Sequence, residues 1–505
     1  MNAAAKSALL IVVLCCISRA QSTSQPDDLG PASYDLLDPR LDSHLEALKY
    51  RLQVRLGRYP SPADSLPDIR NIGGLDRSID SYLQRAVPYR FHYQTPDLRL
   101  YARLRLKEDW LGMVESDSGI SNLQSSVTFA GKGIIRDKVE LYESITFFRA
   151  DTTSYLDNAS TTGEFLKDPL LSYQLPGRGP IASDVDVFDI QVDRAFIRTE
   201  ILGVGIGLGR DRIQLKTGYR TGLLFSGITR PIDLFYDITY TFWRFDFRSF
   251  SGQLVDAGTR YISVKSLSFE LAHNLRINAT EGVAFFDDPL AYINPIMPFF
   301  VTHRHRPTNQ DNLIATADIS YTPVKNLNVY AAFLDDDLII FEGGASKYGF
   351  TFGLFKPQLL SERLDLRAEY TQVRKWTYTH VSHVNAWEYR NQPFGFWLGP
   401  DADEFYAELK CLLTPATYVT ATFDRVRRGE GTLFLPFEEE GGDETPLFPS
   451  GVVERSTGAW IDLRHELGSL TIRGRLGYRW MENRRNQAGD DGGNSFAHWV
   501  VSYTL

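Results

Sequence analysis

The chain is 505 residues long and 13% aromatic, with 25 Tyr and 31 Phe against only 4 Met. Its net charge of −9 gives no footing for nucleic-acid binding, and with Cys15 and Cys16 near the start and Cys411 alone beyond them, no disulfide framework or CxxC metal site can form. Past the first twenty residues no run of about 18 apolar residues occurs, which excludes a membrane-spanning helix and leaves a strand-built span open.

Residues 1–20 read as a signal peptide: one positive charge at Lys6, a small and apolar run from Ser7 to Ile17, then Ser18 and Ala20 at the two positions a signal peptidase reads. The mature chain is expected to start near Gln21. A lipoprotein signal at Cys15 or Cys16 is disfavoured, because Leu14 precedes the first and a cysteine precedes the second. Cys411 lies in a strand-like stretch, where a lone cysteine serves packing or a lipid-facing apolar surface.

Residues 21–95 are expected to form a helical segment. Leu41, Leu45, Leu48, Leu52 and Leu56 recur at spacings of three and four, with Asp38-Pro39 as a start signal and Gly57 as a stop. A second short helix is expected from Leu75 to Ala86, after Gly73-Gly74 and the breaks at Pro60, Pro62 and Pro67.

From residue 96 to 505 the period becomes two. In Leu98 to Leu106 every even position is apolar and every odd one is basic or aromatic, over the nine residues that one tilted membrane strand needs. Further runs are Val139–Phe148, Val185–Thr199, Leu202–Leu208, Phe235–Phe245, Tyr261–Leu271, Leu313–Tyr321, Leu327–Phe333, Tyr348–Phe355, Leu364–Val373, Phe405–Leu413, Tyr418–Val426, Thr457–Arg464, Leu470–Trp480 and Ala497–Leu505. A soluble β-sandwich would also alternate. Three features favour an outer-membrane barrel. Arg99, Arg103, Arg105, Arg194, Arg198, Arg473 and Arg475 sit inside strands, where a polar lumen tolerates them. Tyr236, Tyr240, Phe242, Trp243, Trp460, Tyr478 and Trp480 cluster near strand ends as an interfacial girdle would. The last strand carries Ala497, Trp499, Val501, Tyr503 and Leu505 on one face, a pattern similar to that read by the barrel assembly machinery, except that this signal usually ends in an aromatic residue. The fold class is therefore all-β: a large antiparallel transmembrane β-barrel of roughly 16–20 strands, 18 favoured, behind a small helical segment.

Gly203, Gly205, Gly207 and Gly209 leave one strand face bare, which suits either a curved wall or a patch where a ligand or loop approaches. Arg210, the Thr217-Gly218-Tyr219 turn and Gly222-Leu223-Leu224-Phe225-Ser226 follow. After them come Glu281, Tyr292, Asn294, Pro295, Asp311, Asn312, Asp318 and the pair Asp335 and Asp336. This ordered series resembles the Wzi capsule assembly family from Ala195 to Asp337, with the glycine-proline-glycine turn of that family replaced here by Thr217-Gly218-Tyr219. The resemblance implies a large barrel whose periplasmic mouth is closed by the N-terminal helices and whose outer surface holds capsular polysaccharide as a lectin. The block residues are expected to be architectural rather than ligand-touching.

Asp335 and Asp337 could act as an acid–base pair or hold calcium, since Asp336 between them points to the other face of a strand. Loop solvation or lumen hydrogen bonding is the commoner role. His303 and His305 share a face if extended, but no third metal ligand is identifiable. Trp376, Tyr378, Trp387, Tyr389 and Trp397, in a loop that also carries His380 and His383, are candidate stacking platforms for sugar rings, or else part of a headgroup-level aromatic belt. No GxSxG elbow occurs. The reading is thus a non-catalytic outer-membrane protein of surface polysaccharide attachment or assembly, with no metal or cofactor. Its partners would be outer-membrane lipid, the polysaccharide and the barrel assembly machinery. A porin or solute channel is the alternative, and an outer-membrane hydrolase the second.

Overall fold

The computed structural model describes residues 51, 53–57, 91–115, 118–154, 185–215, 217–220, 222–227, 229, 231–255, 259–286, 288–305, 310–336, 345, 347–389, 391–414, 416–441 and 446–504. The expected signal peptide, nearly all of the expected helical segment, Asp337 and Leu505 lie outside them.

A short β1 (Phe91–Gln94) leads into β2 (Leu98–Glu115), β3 (Ser118–Ile135), β4 (Val139–Ser154), β5 (Val185–Ile201) and β6 (Val204–Asp211). A small hairpin of β7 (Gln214–Leu215) and β8 (Phe225–Ser226) precedes β9 (Ile232–Phe242), β10 (Phe245–Val255), β11 (Thr259–Ala272) and β12 (Leu275–Phe286). Helix α1 (Phe299–Arg304) separates these from β13 (Asn312–Val324), β14 (Leu327–Asp336), β15 (Tyr348–Lys356) and β16 (Leu364–Val373). A second small hairpin, β17 (Glu388–Tyr389) and β18 (Gln392–Pro393), lies before β19 (Ala402–Thr414) and β20 (Thr417–Arg428). Helix α2 (Phe437–Glu440) is followed by β21 (Glu454–Leu467), β22 (Leu470–Glu482) and β23 (Gly492–Thr504).

Every long strand pairs antiparallel with its neighbours in chain order, and β23 pairs with β2 from Arg105↔Thr504 to Val114↔Ser495, so the sheet closes on itself. Among the described residues the ring has 18 strands. β1 sits on the same edge of β2, at Arg99 to Ala102, and so continues the line of β23 past its end. Closure gives each backbone N–H and C=O a cross-strand partner, the condition for strands to cross lipid. Among the described residues no helix is long and apolar enough to do so.

Connections at one end run two to seven residues, and both β1 and the end of β23 lie there. The segments 212–231, 287–311, 374–401 and 429–453 all emerge at the other end. Short turns mark the periplasmic side of such barrels and long loops the outside. Residues 51, 53, 54 and 55 are helical and sit on the short-turn rim: Arg51 Nε meets Asp365 Oδ2 at 2.8 Å, and the Asn326 N–H donates to the Val54 carbonyl at 3.1 Å.

The alternation assigns the faces. Leu100, Phe129, Leu141, Ile197, Leu208, Leu409 and Leu463 are exposed on the outside, and free Cys411 shares the outward face of Leu409. The strand arginines turn into the lumen and meet carboxylates there: Arg194 with Asp211 (2.6 Å), Arg473 and Arg475 with Asp462 (2.7 and 3.0 Å). Arg99 pairs with Asp137, and Arg198 donates to Thr239. Tyr240, Phe242, Trp243, Tyr478 and Trp480 are exposed outside, where a girdle belongs. Trp460 is not among them. It is buried on the lumen face, edge-on to Phe496 and beneath Arg475 and Arg479. Three strands, β3, β10 and β12, occupy stretches without clean alternation, and the run expected to Phe245 ends at Phe242 because a turn at 243–244 divides it.

Candidate functional site

The outer half of the lumen is filled from two directions. The segment 212–231 dips inward from β6 and crosses to the far wall. There the backbone N–H groups of Tyr219 and Arg220 donate to the Glu369 carboxylate at 2.6 and 3.1 Å, and Thr217 donates to Asp318. Arg220 pairs with Glu404 at 2.8 Å in a fully buried contact, lying over the rings of Trp397 and Tyr406. Such a pair holds geometry rather than adding much stability, since both charges have left water.

The second filler is the 374–401 loop. It folds down between the strands and packs Trp387, Tyr389, Phe394 and Phe396 against Leu223, Leu224 and Phe225 of the inner segment. Phe250, Ile262, Val264, Ile314, Leu334 and Val373 line the wall around them. Hydrogen bonds fix the contact. The Trp387 indole N–H donates to the Leu224 carbonyl (3.0 Å), Tyr378 OH to the Leu223 carbonyl (2.5 Å), and the Ser226 N–H to the Phe394 carbonyl (2.8 Å). Burial away from water holds the Tyr378 hydroxyl well above the usual phenol range. Trp376 and Tyr378 both take left-handed backbone (φ 65° and 73°), which for bulky residues survives only where packing over-determines it.

The five aromatic residues expected as open sugar platforms are these plug residues. Trp376, Tyr378, Trp387, Tyr389 and Trp397 are all buried, the last four in the core shared by the plug, the inner segment and the wall. That corrects the expectation: in a lumen filled by loops, the aromatic side chains gain most by burying against the filler, and none keeps an open face or joins a lipid-level belt. Trp376 lies nearest the outside, under α2. Its indole N–H donates to Glu440 Oε2 at 2.7 Å and its ring meets Phe437 edge-on. Glu440 also meets Lys375 (2.6 Å), Glu439 meets His383 (2.9 Å) and Glu438 meets Lys347 (3.5 Å), so the acidic turn latches onto the plug.

Several residues of the family-like block hold these loops in place. Asp336 Oδ2 accepts the Tyr378 N–H (2.6 Å) and Asn312 donates to the Asn385 carbonyl (3.0 Å), which ties the plug to β13 and β14. Asp318 accepts from Asn278 at 3.0 Å as well as from Thr217. Arg210 pairs with Asp233 at 3.4 Å across β6 and β9, and Gly222 is buried where the inner segment enters the aromatic core. Tyr292, Asn294 and Pro295 belong to another loop, 288–305, on the outside of the wall, which Glu281 of β12 and Asp311 just before β13 hold in place. Glu281 Oε1 accepts the Phe299 N–H (2.9 Å), Tyr292 OH donates to Asp311 (2.8 Å), and Asn294 caps the turn that Pro295 begins. Asp335 and Asp336 face outward and inward, as strand alternation requires. His303 lies in helix α1 rather than extended chain. Among the described residues no three His, Cys, Asp or Glu side chains gather around a metal-sized space.

Sequence reasoning missed Glu369, Asp401 and Arg260. Asp401 accepts from the Gly431 and Ser450 N–H groups at 3.0 Å each, and Arg260 pairs with Glu388 at 2.9 Å while donating to the Val384 carbonyl at 2.7 Å. Each is a single charge in an otherwise ordinary stretch, and no local pattern marks it. The glycine face of β6 looks into the lumen. A Cβ on Gly207 would lie 2.5 Å from the Phe196 ring, so the vacant space is taken by neighbouring side chains rather than by a ligand.

The model of the family described as capsule assembly protein Wzi matches residues 94–495, nearly the whole barrel. The chain belongs to the Wzi capsule assembly family. Among solved structures, the Wzi-family barrel is similar to Wzi of Escherichia coli, described as an outer membrane protein involved in group 1 capsule assembly and a carbohydrate-binding β-barrel. The TM-score is 0.52 at 11% identity, covering 79% of this chain and 83% of that one. OccK5 and OccK7 of Pseudomonas aeruginosa give 0.47 at 8% identity and 0.46 at 7%, each covering 80% of this chain and 98% or 99% of theirs. A search of curated protein sequences gives no match. This is an outer-membrane protein of a Gram-negative bacterium.

Proposed function

We propose that this Wzi-family barrel binds surface polysaccharide at its outer mouth and holds it at the cell without breaking a bond in it. The observation that carries the reading is the plug. Apolar side chains and indole-to-carbonyl bonds pack the outer lumen, so the mouth offers a fixed surface in place of a passage. The family's description and the carbohydrate binding stated for the Escherichia coli relative support the same class of ligand. A non-catalytic role is supported by the carboxylates near the mouth: Glu369, Asp336, Asp401 and Glu404 all accept structural hydrogen bonds, which leaves them poorly placed as acid or base.

On that surface Val381, His383 and Val384 of the plug tip and Phe434 of the 429–453 loop are exposed. We assign the glycan contact to them, with the buried aromatic residues supporting the surface from below. Many weak contacts along an extended polymer then add by multivalency. At the other end, the docking of Arg51 and Val54 on the periplasmic rim supports a helical N-terminal closure that stops before β1, short of the residue 95 expected from the sequence, because Phe91–Gln94 pair with β2 as a strand. The apolar outer face and last strand support lipid and the barrel assembly machinery as further partners.

Comparing a deletion strain with its parent for cell-bound and released polysaccharide tests the proposal. Unchanged total polymer that shifts into the medium is the expected outcome, with purified barrel binding the isolated polymer and Phe434→Ala weakening that binding gradually. An unchanged partition would overturn it.

A further inference from the structure

The wall beneath the 288–305 loop is polar where a membrane wall should be apolar. On β19 the outward face runs Phe405, Ala407, Leu409, Cys411, Leu413, nine residues counted from the periplasmic end, which is the length a tilted strand spends in hydrocarbon. The same nine residues on β11, counted back from Leu271, give Leu271, Phe269 and Leu267 outward, then Lys265 and Ser263. Their cross-strand partners are Glu281 on β12 and Ser249 and Ser251 on β10. Five polar groups therefore face outward at membrane depth, and four of them are buried, Ser249 and Ser263 completely. Left against acyl chains, each would cost several kcal/mol.

The 288–305 loop covers them. Lys265 donates to the Met297 carbonyl and lies 3.7 Å from the centre of the Phe299 ring. Glu281 accepts the Phe299 N–H, and Tyr236 OH donates to the Ile293 carbonyl at 3.3 Å. Tyr261, Val283, Phe285, Tyr292, Phe299 and Leu313 fill the space between loop and wall. The loop's other side is apolar and open: Leu290 is 60% exposed and Ile296 84%, with Ile293, Met297 and Phe300 exposed beside them. This surface is continuous with the lipid-facing Leu267, Leu271 and Ile277 below it.

We propose that residues 288–305 form a flap embedded in the outer leaflet, lying on the outside of the barrel, sealing a polar strip of the wall and presenting its own side chains to lipid acyl chains. The loop exchanges one surface for another: its polar backbone and α1 face the charged strip, and its apolar side chains replace the lipid-facing strand residues that the strip lacks.

Single-cysteine labelling tests this on the full chain, with Cys15, Cys16 and Cys411 replaced by Ser. An environment-sensitive fluorophore is placed at Ile296→Cys, at Leu463→Cys on the lipid-facing wall, and at Val381→Cys on the outer surface. The protein is refolded into phosphatidylcholine vesicles with acyl chains brominated or unbrominated. The expected result is bromine quenching at position 296 comparable to that at 463, protection from aqueous iodide at both, and the reverse at 381. A label at Leu290→Cys repeats the measurement should the first variant fold poorly. Iodide quenching at 296 and 290 without bromine quenching would place the loop in water and overturn the proposal. Shielding from both quenchers would put a second copy of the chain there and overturn it as well.

Discussion

Gly282 shows how a single missing atom shapes the outer mouth. It faces the lumen on β12, and a Cβ there would come within 2.5 Å of the Trp387 ring. The indole could not then keep both its seat and its bond to the Leu224 carbonyl. Gly282→Val should cost about 1–3 kcal/mol through overpacking, read as a lower melting temperature in detergent, while barrel content by circular dichroism stays unchanged. Tyr378 gives a second residue-level expectation. Its hydroxyl ionises less readily in the folded plug than in water, so the folded state keeps a proton that the unfolded chain releases first. The contribution is intact below the ordinary tyrosine range and is lost as pH rises past about 10. Tyr378→Phe should flatten the loss of plug stability between neutral and strongly alkaline pH, and an unchanged alkaline slope would assign the sensitivity elsewhere.

At the scale of elements, the plug and the flap divide the work that loops do in this barrel. The plug is held by groups from far along the chain: Asp336 and Asn312 from β13 and β14, Arg260 from β11, Asp401 at its own base, and the acidic turn of α2 from above. Replacing residues 379–395 with a short Gly-Ser linker should therefore open the lumen without unfolding the wall. Planar-bilayer recordings are expected to show little conductance for the native protein and clear single-channel steps for the shortened one. Equal conductance in both would mean that the plug does not control passage. The flap depends on fewer contacts, chiefly Tyr292 to Asp311 and Glu281 to the Phe299 backbone, and those two interactions use three acidic and aromatic residues of the family-like block.

Across the whole molecule, the barrel was legible because a membrane imposes one rule on every strand. Leu364 to Val373 is a strand with the bounds its alternation gives, and β2, β5 and β22 begin where their runs begin. The arginines at polar positions turned inward for the same reason. The candidate site was far less legible. Aromatic residues between β16 and β19 marked an important loop, but their spacing holds no information about whether they face a sugar, a lipid headgroup or one another. The carboxylates that secure the plug are single residues on separate strands, brought together only by the register of the closed sheet.

The overlooked strands show where the boundary between the two lies. In β10, Phe245 and Phe247 point outward and Asp246 and Arg248 inward, as lipid outside and water inside demand. Further up the same strand Phe250 and Leu254 are buried inside, and Ser249 and Ser251 are buried outside. The pattern inverts because the plug makes the upper lumen apolar and the flap makes the upper outer wall polar. Local sequence determined the strand period, the membrane band and the family, since each depends on neighbours along the chain and on one bulk solvent. Only the tertiary structure decided which face was dry at a given height, because that depends on loops from elsewhere in the sequence taking the place of water within and of lipid without.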